Sequence, residues 1–491
     1  MIYESCPALG ENKFIRALQG FFRTMWYQAA VILLMVCANL FALELPVFYL
    51  YLLLGLLALL FAEDTLPLVP VFLCSYMTIS PENNPATHVG ESVFYEKAFQ
   101  IQFVVILAVA ALAVAARLVH SLVFSPTRAE RKGSPALSFG FLALGVSYVL
   151  GGLFSPSYSA KTALFGFVEI ASLCALYYFF YYTVDFRRTE KDYLLRFFLL
   201  LGFGIMLETV RLYFLPGVVT PDGVDRGKLT TGWGMYNNIG CIIAMCIPAS
   251  FYFAATRKNG WQYTLLGCLT LAGVVLTQSR GSILFGGIVF LACYAYVIVK
   301  SRGRERLCHL IVAGALILLA MIAVAVFFEK FMQLFSSMLR FDSNGRDGIW
   351  QGGLKQFAGH PLFGVGFYEC EAFRWGQLPS DSFLPPRYHN TYLQLMASGG
   401  VVALLAYAFH RFQTVRLLWK RRTRENIFLA FIVLALILTS TVDCHFFNFG
   451  PGLLYSVILV FIERGSPEEK RENAAESAEA AAGDAAAAEG E

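Results

Sequence analysis

Long apolar runs alternate with short polar breaks along most of the chain, and the runs have the length that crosses a bilayer. About 20 mostly apolar residues cover the ~30 Å of hydrocarbon. Fourteen runs are predicted as spanning helices, at roughly 26–43, 46–62, 65–80, 97–117, 137–154, 162–184, 194–215, 234–256, 262–278, 281–299, 309–328, 389–410, 427–443 and 450–463. The third and last are short, so the expected fold class is an all-α polytopic membrane protein with about 12 to 14 spans. Ahead of the first run, Lys13, Arg16 and Arg23 interleave with Phe14, Ile15, Leu18, Phe21, Phe22 and Trp26. That pattern predicts an interfacial helix rather than a cleaved signal peptide.

Composition agrees. With 57% hydrophobic and 15% charged positions, 491 residues are too apolar for a water-soluble globule. The formal net charge is +4, and the tail from Ser466 holds eight acids against two bases, so the remainder carries about +10. On a soluble domain such a sum would suggest nucleic acid, but the Lys and Arg stand in short clusters between apolar runs, which disfavours a nucleic-acid partner. These clusters are Arg128/Arg131/Lys132, Arg187/Arg188/Lys191, Arg257/Lys258, Lys300/Arg302/Arg304/Arg306 and Arg411 through Arg424. With fourteen spans every cluster falls on one side, so both termini are expected in the cytoplasm of a plasma (inner) membrane protein. The loops 81–95, 216–233 and 329–388 are then external. The expected organisation is a cytoplasmic or interfacial segment 1–25, a membrane domain 26–328, a large external loop 329–388 with short amphipathic helices, a second membrane part 389–463 and a disordered acidic tail 464–491. The eleven Cys lie mostly inside apolar runs without a CxxC or Cys/His ladder, so neither zinc nor a disulfide framework is indicated. No repeat relates the two halves, which argues against a symmetric transporter.

The loop from Glu329 to Tyr388 is far longer than a connector needs, a usual sign of function. Within it Ser343-Asn344-Gly345-Arg346-Asp347 precedes Ile349, Trp350, Leu354 and Phe357, which predicts a capped amphipathic helix on the outer membrane face. Its N-terminus and Arg346 would attract an anion such as phosphate, although Arg346 could equally pair with a neighbouring Asp. Pro361-Leu362-Phe363-Gly364-Val365-Gly366 predicts a tight turn. Arg387-Tyr388-His389-Asn390-Thr391-Tyr392 follows where the loop enters a span. A histidine at a helix N-terminus feels a field that disfavours its charged form, leaving His389 a neutral base or an ordinary interfacial hydrogen-bonder.

Arg280, in the short Gln278-Ser279-Arg280-Gly281 break, is an isolated external cation that either snorkels to headgroups or binds substrate. Arg211 lies three residues after Glu208, a spacing that permits an internal pair, and could also face the external site. Thr231-Gly232-Trp233-Gly234-Met235-Tyr236-Asn237-Asn238 supplies rings and amides that suit sugars, or an interfacial aromatic belt. Arginines, a histidine and amides on one face suit a substrate with a lipid tail, a diphosphate and a glycan.

Taken in order, Gln278-Ser279-Arg280-Gly281, Gly345-Arg346-Asp347-Gly348-Ile349-Trp350, His360-Pro361-Leu362-Phe363-Gly364-Val365-Gly366 and His389-Asn390-Thr391-Tyr392-Leu393 with Gly399-Gly400 resemble the O-antigen ligase and polymerase superfamily, most strongly from about Thr231 to Ala408. The resemblance implies a metal-independent glycosyltransferase without a cofactor, moving a glycan from an undecaprenyl-diphosphate carrier to an acceptor. The acceptor would be lipid A core, a lipid-linked repeat, a protein or a wall polymer. Carried over, His389 is the expected base and Arg280 and Arg346 the expected diphosphate ligands, with Arg211, Asn238, Trp350, Arg387 and Asn390 as further substrate contacts. Displacement of the lipid diphosphate in one step would invert the anomeric centre, and no external Asp-x-Asp pair stands ready for a metal. Within the family the alternative is a repeat-unit polymerase. From other classes, a lipid-linked oligosaccharide flippase would place its charges along the spans, and a scaffold would have little use for buried ionisable groups.

Overall fold

The computed structural model describes residues 12–79, 97–123, 135–156, 158–186, 192–232, 234–339, 346–367 and 387–464. Within them the chain is almost entirely helical: α1 Lys13–Phe22, α2 Met25–Leu40, α3 Glu44–Phe61, α4 Leu68–Thr78, α5 Lys97–Val123, α6 Ser138–Val149, α7 Ala160–Thr183 and α8 Tyr193–Leu212. Two small antiparallel hairpins follow, β1 Val219–Thr220 with β2 Gly223–Val224 and β3 Thr230–Thr231 with β4 Gly234–Met235. The rest is α9 Tyr236–Thr256, α10 Trp261–Leu276, α11 Arg280–Lys300, α12 Gly303–Val326, α13 Phe328–Leu339, α14 Arg346–Gly359, α15 Thr391–Lys420, α16 Arg424–Thr439 and α17 Phe449–Arg464.

Each of the fourteen predicted runs contains a helix, so the protein is an all-α polytopic membrane protein. Among the described residues eight helices are long and apolar enough to span on their own, or nine if the bent pair α1 and α2 is counted as one span. The others are shorter, which is why a run of apolar letters overstates the number of full-length spans. The expected interfacial helix is α1, bent 74° from α2, with Ile15 and Phe22 turned inward and Phe14 exposed. The predicted acidic tail, the loop 81–95 and the basic clusters at 128–132 and 187–191 lie outside the described residues.

Helix α9 is the centre of the bundle. Every residue from Ile239 to Ala254 is buried, against α8, α10, α11 and α16. It is about 30 Å long at 1.5 Å per residue. Its ends therefore define two faces of the protein. Beyond its last turn Arg257 pairs with Asp192 and Tyr252 bonds Glu425, so the connections α7–α8, α9–α10 and α15–α16 share one end. The connections before α9, between α10 and α11, before α14 and after α16 share the other.

One predicted span differs in form. The run 389–410 is the first part of α15, which breaks at Gly400 (φ 65°, ψ −160°) and continues to Lys420. A break in mid-helix strands backbone groups that a bilayer interior would not satisfy. Here the predicted turn at 361–366 supplies the partners: Val365 and Gly366 N–H donate to Ala397 and Ser398 carbonyls, and Val401 and Val402 N–H donate to Pro361 and Leu362 carbonyls, at 2.8, 2.8, 2.8 and 3.2 Å. Both reversals need glycine. Gly364 also has a positive φ of 63°, and a Cβ would lie 2.4 Å from the Ala397 oxygen there and 2.3 Å from the Leu362 oxygen at Gly400. The break moves the crossing along the chain and corrects the place of Arg411. Instead of opening a polar loop, Arg411 sits mid-helix over the rings of Tyr407, Phe446 and Tyr455 (4.5, 4.8 and 4.8 Å) and donates to the hydroxyls of Tyr407 and Tyr455 at 2.8 Å each.

Candidate active site

Four connections that are far apart in sequence meet around one cavity of about 310 Å³ at the α9 N-terminus. The segment before and into α9 brings Arg226, Tyr236 and Asn237; the α10–α11 turn brings Ser279 and Arg280; α14 brings Arg346 and Trp350; and the α16–α17 connection brings Asp443 and His445.

Local chemistry fixes each group. The carboxylate of Asp225 accepts the Gly227 N–H at 3.1 Å, closing the turn that carries Arg226, whose guanidinium lies 5.7 Å from the Tyr236 ring centre. In the α10–α11 turn Gln278 takes a left-handed φ of 55° and its amide donates to the Leu334 carbonyl at 2.7 Å, tying the turn to α13. Ser279 caps α11, and its hydroxyl donates to Asn237 Oδ1 at 2.9 Å. Arg280 and Arg346 are the first residues of α11 and α14, so two helix N-termini reach the cavity with their guanidinium groups. Aligned peptide dipoles and two cations favour negative charge there.

Asp443 organises the opposite wall. Its Oδ1 accepts from His389 Nδ1–H at 3.2 Å and the Cys444 N–H at 2.8 Å, and its Oδ2 accepts from Asn237 Nδ2 at 2.8 Å. Arg346 donates to the Val442 carbonyl at 2.8 Å and its other terminal nitrogen lies 3.9 Å from Asp443 Oδ2. Burial pushes the Asp443 carboxyl up, but the hydrogen bond from His389, the electrostatic attraction of the His445 and His389 rings and the Cys444 N–H together hold it well below the usual carboxylate range. His389 is not itself in the cavity wall; it joins the site through Asp443, with a left-handed φ of 52° and a side chain 41% exposed. Because the carboxylate can only accept, Nδ1 carries the hydrogen, and in the neutral ring Nε2 keeps the lone pair.

The remaining expected contacts divide. Trp350 lines the cavity, its indole N–H donating to the Tyr388 carbonyl at 2.9 Å. A helix, α14, forms where the amphipathic one is expected; Ile349 and Trp350 pack on the cluster of Tyr388 and Leu393, while Leu354 is exposed. Its predicted cap at 343–345 lies outside the described residues, as does Trp233. Asn390 caps α15, accepting the Tyr392 and Leu393 N–H at 2.9 and 3.0 Å, and donates to the Thr441 carbonyl at 2.9 Å. These bonds hold His389 beside Asp443 and occupy the amide. Asn238 lies behind the wall, bonded to His445 and Asn448. The Arg387 guanidinium lies 5.3 Å from the Phe447 ring centre and does not line the cavity. Arg211 forms the internal pair, 3.0 Å from Glu208, and does not line the cavity either. Arg226 stands where Arg211 was the candidate.

Sequence reasoning missed Arg226, Asp443 and His445. The signal was present for the last two: an acid and a histidine two residues apart in the connection between the last two runs, one that the charge pattern assigns to the same side as Arg280 and His389.

Fold and site thus describe a polytopic membrane protein with a cationic cavity at one end of its bundle, walled on one side by a carboxylate that carries an imidazole. Residues 242–408, about a third of the chain, match the family model described as O-Antigen ligase (Wzy_C), so this part of the chain is similar to the O-antigen ligase family. No curated protein matches the chain. The matched stretch contains Arg280, Arg346 and His389 and ends before Asp443.

Proposed function

We propose that the protein transfers a glycan from an undecaprenyl-diphosphate carrier to an acceptor hydroxyl at the outer face of the cytoplasmic membrane, with both termini inside. The observation that carries this reading is the grouping of Arg226, Arg280 and Arg346 around one cavity whose wall includes the aspartate bonded to His389. The arginines hold the diphosphate. The acceptor oxygen attacks the anomeric carbon, its proton passes to His389 Nε2, and the bond to the phosphate oxygen breaks with its electron pair leaving on the diphosphate. Asp443 orients the ring and stabilises the imidazolium that forms. Guanidinium groups aimed at the leaving oxygens supply roughly 3 kcal/mol each in a water-poor site, so the step runs without a metal. A single displacement inverts the anomeric centre.

The test is transfer from lipid-diphosphate glycan in proteoliposomes, with variants matched for amount and thermal midpoint. His389→Asn tolerates the left-handed backbone and removes Nε2; it should lower turnover at least about 100-fold. Arg280→Ala and Arg226→Ala should each lose a comparable factor, and Arg211→Ala should keep most activity. Full turnover by His389→Asn would remove the base, and retained anomeric configuration would remove the one-step displacement. Feeding single repeat units separates a ligase, which makes no ladder, from a polymerase.

A further inference from the structure

His445 has no part in the step above, yet it lines the cavity beside Asp443 and is only 1% exposed. Its Nδ1 lies 3.1 Å from Asn238 Oδ1, and that oxygen also accepts from Asn448 Nδ2 at 2.6 Å. An amide oxygen can only accept, so Nδ1 carries the hydrogen and Nε2 keeps a lone pair. The next two residues lock the turn: Phe446 packs edge-on against Tyr407 and Tyr455, and Phe447 stacks on Tyr148 and lies tilted against Phe367. Nδ1 is engaged behind the wall, so the other edge of the ring, with Nε2, is the one turned to the cavity.

Much of the cavity wall is cationic. Guanidinium groups hold phosphate oxygens but cannot receive a hydroxyl proton, and the Asp443 oxygens are taken by His389, Cys444 and Asn237, so on the wall beside Asp443 the acceptor is His445. The Asp347 carboxylate lies with Arg346 on α14, and the Tyr236, Ser279 and Ser282 hydroxyls can act either way. A sugar joined to the diphosphate has hydroxyls that must give their hydrogens to something. We infer that His445 Nε2 accepts a hydrogen bond from a hydroxyl of the sugar next to the diphosphate, which makes His445 a positioning and sugar-selecting residue. Burial pushes its pKa down; Asp443 pulls it up, while His389 and Arg346 push the same way as burial. The ring is therefore neutral at pH 7 and acts as an acceptor rather than a fourth cation.

This inference rests on the lipid-diphosphate reading, and one experiment separates the two. Full-length protein in nanodiscs is titrated with undecaprenyl diphosphate, bare or bearing a single N-acetylglucosamine, glucose or galactose. Wild type should bind at least one sugar-bearing probe about 10-fold more tightly than the bare lipid, the worth of one good hydrogen bond. His445→Leu should abolish that preference and keep bare-lipid affinity within about twofold, and His445→Gln, which offers a carboxamide oxygen, should recover part of it. Should the Leu variant not fold, Asn238→Ala, which unlocks the ring, should reduce the preference instead. No preference by wild type, a preference kept by His445→Leu, an equal loss for all probes, or a Gln variant as poor as Leu would overturn the inference and leave the diphosphate site standing. Failure of wild type to bind even the bare lipid overturns that site and the inference with it.

Discussion

Replacing Asp443 by Asn removes one charge and no volume. If the new amide keeps its oxygen toward His389 and Cys444, its NH₂ meets Asn237 Nδ2, 2.8 Å from the present oxygen, and faces the Arg346 guanidinium at 3.9 Å. The opposite rotamer sets the NH₂ against His389 Nδ1 and the Cys444 N–H. Turning Asn237 over relieves the first conflict by reversing its bond with Ser279, whose hydroxyl must then accept, but leaves the new NH₂ facing the Arg346 guanidinium. Each unsatisfied buried donor costs about 1–3 kcal/mol, so the variant should lose roughly 2–4 kcal/mol of stability. The imidazolium that forms in transfer also loses a carboxylate at hydrogen-bond distance, worth about 4 kcal/mol at a moderate effective dielectric. Turnover should fall by roughly 10²–10³ with little change in KM, since the oxygen-in rotamer still orients the ring. Single-turnover transfer in proteoliposomes measures this. The pH dependence is a second check. The native carboxyl titrates below its ordinary value of 3.8, so its stabilisation is present above that pH and is lost as pH falls through the lower folded value. The gap in thermal midpoint between wild type and variant should widen as pH falls below 6.5, where His445 in the variant lacks the carboxylate that eases its protonation, and should narrow as the Asp443 carboxyl itself titrates in stronger acid. An Asp443→Asn enzyme that folds normally and turns over within about threefold of wild type would refute the role given to the carboxylate.

Two further outcomes follow from the geometry. Gly400→Ala combines a left-handed backbone with a Cβ 2.3 Å from the Leu362 oxygen. It should destabilise by several kcal/mol, seen as loss of monodisperse protein on size exclusion, whereas Gly287→Ala, with nothing within 4 Å, should be tolerated. His445 is buried with its pKa lowered from 6.5, so as pH falls through 6.5 the unfolded chain takes a proton that the folded one refuses. The thermal midpoint should therefore decline between pH 7 and the lower folded value, and His445→Gln should flatten that slope; equal slopes would deny the histidine a buried neutral state.

The membrane architecture was legible because hydropathy reports burial in lipid directly: each predicted run holds a helix. Arg280, Arg346 and Trp350 were legible as well, since charged or amphipathic residues at the ends of apolar runs have few places to go. The break at Gly400 was not. Gly399-Gly400 sits inside an apolar run, and hydropathy cannot distinguish a continuous helix from two pieces pinned by a distant turn. The same blindness misplaced Arg411, because a cation held by Tyr407, Phe446 and Tyr455 has the letter pattern of a loop residue. Arg211 and Arg226 were exchanged for a related reason: a pair at three-residue spacing satisfies itself, and only the path of the two hairpins brings Arg226 over Tyr236.

The interlock between residues 361–366 and the broken helix has an evolutionary corollary. Each strap holds amides that the other leaves bare, so neither can drift by itself. Lineages that lose the paired glycines at 399 and 400 should also have remodelled the Gly-Val-Gly turn, and grafting one without the other between relatives should yield protein that is degraded rather than merely slow.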